Sequence, residues 1–184
     1  MVERVLDRRL RDDTGPRRLL DAGCGRGDFA VELAARYPAL EEIVGCDFSP
    51  ELVELATSGA AGQPRIRFVT GDVTSLAFTP AGFDVTVCLN VLHHIRNERL
   101  PTALQQLARV TSRVLLLEIK NASSPYFRLH SKRVEGIAVY PVTIEEVSRR
   151  LGTLGFRLIQ SHAIFGLDWL SPLVLLHFER APSP

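Results

Sequence analysis

Three short stretches carry the residues with the most chemistry to offer. The first, Leu20-Asp21-Ala22-Gly23-Cys24-Gly25-Arg26-Gly27, joins an apolar run to an amphipathic one, the strand-to-helix context that a nucleotide-binding turn requires. Glycine tolerates left-handed backbone and lacks a Cβ, so such a turn bends sharply and lets a ligand approach the main chain. The spacing here is G-x-G-x-G, whereas a dinucleotide loop is G-x-G-x-x-G and seats a pyrophosphate on the helix that follows. A nucleoside ligand without phosphate suits the shorter spacing; a plain turn that uses glycine for geometry is the alternative. Asp47 ends the next apolar run, about 20 residues beyond the loop, where an acid can accept both ribose hydroxyls. Phe48, next to it, can pack on a base or in the core. Asp72, in Thr70-Gly71-Asp72-Val73, can accept an adenine amino group while the Val73 amide meets a ring nitrogen. The bland alternative is a turn aspartate.

Further along, Val87-Cys88-Leu89-Asn90-Val91-Leu92-His93-His94-Ile95 leaves a fourth apolar run. Histidine titrates near neutrality, so His94, and behind it His93, are candidates for a general base or for orienting an acceptor. Capping or packing the next helical turn is their other use. Glu118 ends the fifth run and is a third candidate catalytic group, against a structural strand-end carboxylate.

Positioning these groups takes alternating strands and helices. Strands are expected over residues 19–22, 43–46, 66–69, 84–89, 114–117, 156–159 and 174–178, the fifth apolar throughout, as a strand covered on both faces should be. A helix opens at Gly27 with the stripe Ala30, Leu33, Ala34 and Tyr37, and Pro38 stops it. Ser49 is an N-cap with Pro50 in the first helical position, and Gly59 ends that helix. Leu100, Leu104 and Leu107 align on another. Thr143 and Glu146 form a capping box ahead of Ile144, Val147, Leu151 and Leu154, with Gly155 terminating. Val2, Val5, Leu6 and Leu10 make a short amphipathic segment that Gly15-Pro16 ends. No helix-length segment separates the last two strands, and a parallel crossover needs about a dozen residues, so the last strand is expected antiparallel. The expected fold is α/β, Rossmann-like and doubly wound, with a mainly parallel seven-stranded sheet and an antiparallel final strand. It forms one domain over residues 1–184, with an N-terminal helix or arm at 1–17. Two aperiodic stretches, 120–142 and 163–172 with Phe165, Trp169 and Pro172, can lie over the carboxyl ends of the strands, where open α/β sheets bind ligands.

In this order, on these elements, the loop from Asp21 to Gly27, Asp47, Asp72 and the segment Phe83 to Ile95 resemble the class I S-adenosylmethionine-dependent methyltransferases. The likeness is to the ubiquinone/menaquinone-type group acting on small molecules, strong from Arg18 to Glu118 and weak elsewhere. The resemblance implies S-adenosylmethionine (SAM) as cofactor, S-adenosylhomocysteine (SAH) as product, and methyl transfer to a small-molecule acceptor. Asp21, Gly23 and Gly25, with Cys24 and Gly27 in the same loop, would hold the methionine part, Asp47 with Phe48 the ribose and adenine face, and Asp72 with Val73 the adenine edge. Asn90 is placed with these cofactor-binding residues. The family also ends its sheet on an antiparallel strand, and usually carries more helix than the 17 residues found here before its first strand, often to enclose the acceptor. Asn90 is not followed by Pro-Pro-aromatic, so it does not resemble the methylases of nucleobase or protein amino groups. Cys88 is not preceded by proline and lies in an apolar run, which favours a small buried hydrophobe over a covalent cysteine.

Composition bounds the partners. Lys plus Arg is 22 and Asp plus Glu 21, net +1, which argues for neither nucleic acid nor an anionic membrane. Cys24, Cys46 and Cys88 lack zinc-ligand spacing and, being odd in number, cannot all pair; reduced, partly buried thiols favour the cytoplasm. No apolar stretch has the length of a membrane span, and Glu3, Asp7, Asp12 and Asp13 argue against a transit peptide. The expected molecule is a monomer or homodimer. Arg128, His130, Lys132 and Arg133 beside Tyr126 and Phe127 read as a solvated face, or as contacts for an acidic acceptor or RNA. Residues 120–142, with Tyr140 as further cover and bends at Ser123-Ser124-Pro125 and Glu135-Gly136, have the length and aperiodicity of a lid. A non-catalytic SAM-binding module or subunit, and an RNA or protein methyltransferase, are the competing functions.

Overall fold

The computed structural model describes residues 2–9, 17–125, 129, 138–163 and 171–182. Leu10, Gly15-Pro16, Tyr126, Phe127, the basic run Arg128, His130, Lys132 and Arg133, Glu135-Gly136, Phe165 and Trp169 lie outside them.

Helix α1 (Val2–Arg9) precedes β1 (Arg18–Ala22), α2 (Asp28–Arg36), β2 (Glu42–Asp47), α3 (Pro50–Gly59), β3 (Ile66–Thr70) and β4 (Phe83–Cys88). A 3-10 turn, Leu92–His94, leads to α4 (Leu100–Val110), β5 (Thr111–Lys120), α5 (Ile144–Thr153), β6 (Phe156–Ala163) and β7 (Leu173–Arg180). All seven expected strands are present, in the order β3-β2-β1-β4-β5-β7-β6. Strands β1 to β5 run parallel, and β7 lies antiparallel to both β5 and β6. Strand β5 is longer than its apolar centre, because both its edges are paired along most of its length.

Strand β1 pairs with β2 on one side and β4 on the other. The chain therefore winds outward from β1 in two directions, and a crevice opens beyond the carboxyl ends at that switch point. Alternate side chains feed two cores: Leu20 and Leu115 pack on one face of the sheet, Leu19 and Leu116 on the other. The N-terminal segment is part of the second core. Val2, Val5 and Leu6 are buried in it, Arg36 pairs with Glu3 at 2.9 Å, and the Tyr37 hydroxyl donates to Asp7 at 3.0 Å.

The caps follow their residues. Ser49 Oγ accepts from the Leu52 amide at 3.2 Å, with Pro50 beginning α3. Thr143 Oγ1 accepts from the Glu146 amide at 3.0 Å, but the Glu146 carboxylate pairs with Arg150 at 3.1 Å, one turn on. Only half of the capping box forms. Thr143→Ala should therefore cost about 1 kcal/mol, and Glu146→Ala a few tenths, the worth of an exposed i,i+4 pair. Urea unfolding of the two variants checks this; equal losses would mean that the reciprocal bond operates in solution.

Candidate functional site

The turn after β1 is built from left-handed glycines: Gly23, Gly25 and Gly27 have φ of +86°, +54° and +80°. The amides of Gly23 and Cys24 both donate to the Cys46 carbonyl, at 2.6 and 3.1 Å, which ties the turn to the end of β2. Asp47 completes the tie. Its Oδ2 accepts the Gly25 amide at 2.9 Å and its Oδ1 the Ser49 amide at 3.0 Å. One carboxylate thus fixes both the glycine turn and the start of α3, and each oxygen keeps a lone pair for a ligand.

A cleft of about 900 Å³ opens over these ends. Its wall runs from Gly23, Cys24 and Gly25 past Asp47 and Phe48 to Asp72 and Val73, then to Asn90 and His94. Phe48 is 79% exposed, so its place is on the cleft and not in the core. Gly23 is bare where it matters, since a Cβ there would lie 2.0 Å from Val91 Cγ2. Gly27 is not on the wall. Its missing Cβ makes room for Phe68 and Ala56, at 2.5 and 2.9 Å, so its role is close packing between α2, α3 and β3.

Asp21 also sits off the wall. It is 3% exposed and its Oδ2 has no hydrogen-bond partner. Burial, with the Asp47 charge adding to it, pushes its carboxyl up to about 7. Asp72 goes the other way. Burial raises it, but the Thr74 amide and hydroxyl and the Arg99 guanidinium outweigh that, and its carboxyl lies below the ordinary value.

The two histidines part company. His94 is exposed on the cleft wall. His93 is 3% exposed, its Nδ1 has no partner, and its ring lies 4.1 Å from that of His94. Burial, then His94 and Lys120, lower it to about 4, so it is neutral at physiological pH. Its carbonyl accepts the Tyr140 amide at 2.8 Å. Glu118 is off the wall too. Burial raises its carboxyl, Lys120 opposes, and it accepts the backbone amide of Asn90. Asn90 has φ +58°, a conformation asparagine tolerates better than most residues, and Glu118 anchors it. Of the three catalytic candidates, only His94 reaches the cleft.

No described residue of the 120–142 stretch lines this cleft. Its ends are pinned: Ala122 donates to the Val142 carbonyl at 2.9 Å, Val142 to that of Lys120 at 3.0 Å, and Asn121 to that of Pro172 at 2.9 Å. Cys24, Cys46 and Cys88 are free and buried. Burial pushes Cys46 up to about 11 and the other two further, so none supplies a thiolate nucleophile. Thr74, Arg96 and Arg99 also line the cleft and were not legible in the sequence. Arg99 lies 27 positions from its partner Asp72, across a turn with no regular period. Among the described residues, no helix is long and apolar enough to cross a membrane, and no group of three or more His, Cys, Asp or Glu is placed to hold a metal.

Residues 19–113 match the family described as methyltransferase domain. The demethylmenaquinone methyltransferase of Deinococcus radiodurans is 36% identical over 143 residues, 76% of this chain and 54% of that protein. The 2-phytyl-1,4-naphtoquinone methyltransferase of Nostoc punctiforme is 33% identical over 129 residues, 67% of this chain and 55% of that protein. The chain thus spans about half the length of these curated relatives. Among solved structures, the magnesium protoporphyrin IX methyltransferase of Synechocystis PCC 6803 with bound SAH superposes with a TM-score of 0.75 at 23% identity, covering 98% of this chain and 80% of that one. That likeness is one of fold, with the same Rossmann-like sheet. With a matching domain over half its length, and that domain's glycine turn and acids gathered on one cleft, the chain belongs to the methyltransferase-domain family.

Proposed function

We propose that this protein binds SAM in the cleft and transfers its methyl group to a small-molecule acceptor. The observation that carries the reading is the cleft wall itself: a bare-glycine turn, two strand-end aspartates and an exposed aromatic precede Asn90 and His94 along one continuous surface. The residues fit the cofactor. Gly25, where a Cβ would meet nothing within 4 Å, leaves main chain open to a methionine tail beside Gly23, Asp21 holds an unpartnered carboxylate oxygen behind that turn, and Asp47 retains acceptor capacity for ribose hydroxyls. Asp72 and the Val73 amide face an adenine edge, with Phe48 beside its ring.

When bound, SAM supplies a methyl group already activated by its sulfonium. The protein's part is to hold the acceptor in line, a contribution of several kcal/mol, and, where the acceptor is protonated, to take its proton. His94 is the group on the wall able to do that. His93 and Glu118 support it by packing and by anchoring Asn90. The quinone methyltransferases among the relatives support a small-molecule acceptor, and the near-zero net charge supports one over nucleic acid. Three free thiols support a reducing, cytoplasmic setting, and the protein is proposed to act as a monomer or homodimer. Residues 126–128 and 130–137 of the 120–142 stretch, the expected lid, lie outside the described residues.

Calorimetry with SAH and with NAD tests the cofactor. SAH should bind and NAD should not; the opposite result sinks the reading. Asp47→Ala should weaken SAH by roughly 1–3 kcal/mol, the cost of donors left unpaired. A tritiated-methyl assay across metabolite, RNA and protein fractions tests the acceptor. Label in RNA, lost steeply with added salt, would assign the basic run to nucleic acid instead.

A further inference from the structure

Asp72 is held from three directions. Its Oδ1 accepts the Thr74 amide and the Thr74 hydroxyl, each at 2.8 Å, and its Oδ2 accepts Arg99 Nη2 at 3.0 Å. The same Nη2 donates to Thr74 Oγ1, so the hydroxyl gives its proton to the carboxylate and takes one from the guanidinium. Thr74 is 7% exposed, so its corner of the triangle is fixed by burial, and the half-exposed Asp72 and Arg99 are held to it by hydrogen bonds. A carboxylate offers about four lone-pair sites. Three are filled, which leaves one on Oδ2 for a ligand, and Asp72, Thr74 and Arg99 all line the cleft.

We propose that Arg99 is a positioning residue that sharpens the nucleobase specificity of the cleft, by holding the Asp72 carboxylate in one orientation beside the Val73 donor. The inference rests on the SAM reading of the same site. A 6-aminopurine presents a donor to Asp72 and an acceptor to the Val73 amide. A 6-oxopurine presents the reverse, an acceptor to Asp72 and a donor to Val73, so both contacts turn repulsive. Without Arg99 the Oδ2 side of the carboxylate loses its anchor and can turn out of line with the Val73 amide, so the 6-amino group loses its acceptor while the 6-oxo group, repelled in either case, loses little. The Arg99 side chain is 60% exposed, so its loss should leave the fold intact.

The test measures binding of SAH and of its 6-oxo analogue, S-inosylhomocysteine, by calorimetry. Wild type should prefer SAH by about 30-fold or more, the worth of two reversed hydrogen bonds. Arg99→Met should cut that preference to below about 5-fold while weakening SAH itself by only about 3- to 10-fold. Arg99→Lys, which keeps the charge and one donor, should fall between them, and thermal unfolding of all three should coincide. A merely structural role would weaken both ligands together, so an unchanged ratio in both variants overturns the proposal. Wild type that binds SAH tightly with an unaltered ratio in the variants leaves the cofactor reading standing and removes only Arg99; wild type that binds neither ligand overturns both.

Discussion

Gly23→Ala should remove SAH binding and lower the unfolding free energy by about 2–5 kcal/mol. Two effects add. The backbone at Gly23 has φ +86°, and a left-handed residue with a Cβ costs roughly 1–2 kcal/mol. The new Cβ would also lie 2.0 Å from Val91 Cγ2, with Val91 Cβ and Cγ1 at 3.3 and 3.4 Å. Valine is stiff about χ1, so rotation exchanges one bad contact for another, and overpacking of this kind costs roughly 1–3 kcal/mol. The Gly23 amide bonds to the Cys46 carbonyl at 2.6 Å, so the strain passes directly to the end of β2 and to Asp47. Gly25 makes the contrast. Its φ is +54°, yet a Cβ there meets nothing within 4 Å. Gly25→Ala should cost only the φ part, about 1–2 kcal/mol of stability, but still hinder the ligand, because Gly25 lines the cleft. The decisive measurement is the cycle with Val91→Ala. Removing both Cγ atoms should return the packing part of the Gly23→Ala loss and leave the φ part. If Gly23→Ala costs no more than Gly25→Ala, the close approach of Val91 is not what reserves this position for glycine.

The difference between the two glycines shows what the sequence could and could not announce. G-x-G-x-G between a strand and a helix points to the turn, and Asp47 and Asp72 follow at strand ends. These are local signals, and a doubly wound sheet converts them into neighbours, because every parallel strand delivers its carboxyl end to the same edge. Sheet direction was legible for a similar reason: too few residues separate β6 from β7 for a parallel return. Which glycine does what was not legible. Gly27 looks like part of the ligand turn and instead admits Phe68, a residue 41 positions away that only the strand order brings over it. Glu118 has the address of a catalytic acid and is spent holding the Asn90 amide. His93 and His94 are adjacent in sequence, but the 3-10 turn sends one side chain inward and leaves the other on the cleft. Arg99 left no trace in any pattern. It carries its charge on an exposed side chain at the start of α4, and only the packing of that helix brings it to Asp72.

Asp21 ties stability and binding to pH in opposite senses. Its folded carboxyl titrates at about 7 against 3.8 unexposed to the fold. The native protein therefore binds more protons than the unfolded chain between those values. Stability from this group is complete below pH 3.8 and is lost as pH rises through about 7. Three pH units at roughly 1.4 kcal/mol each set an upper limit of about 4 kcal/mol. His93 masks this in the raw curve. Its folded value of about 4 lies below its ordinary 6.5, so its contribution grows as pH rises over much of the same range. The difference between wild type and Asp21→Asn isolates the aspartate. The variant, with a neutral amide in place of a buried charge, should be the more stable protein at pH 8, and its advantage should vanish by pH 4. Ligand binding should run the other way. In the proposed site the α-ammonium of SAH lies toward Asp21 and favours its charged form, so binding expels a proton. Wild-type affinity should then rise with pH up to about 7 and level off, and heats measured near pH 6.5 in phosphate and in Tris should differ by the ionisation heat of the released proton. Asp21→Asn should bind SAH weakly at pH 8, with neither the rise nor the buffer dependence. Equal heats in the two buffers for wild type, together with a variant no more stable at pH 8, would mean that Asp21 is charged in the free protein and is held by the turn alone.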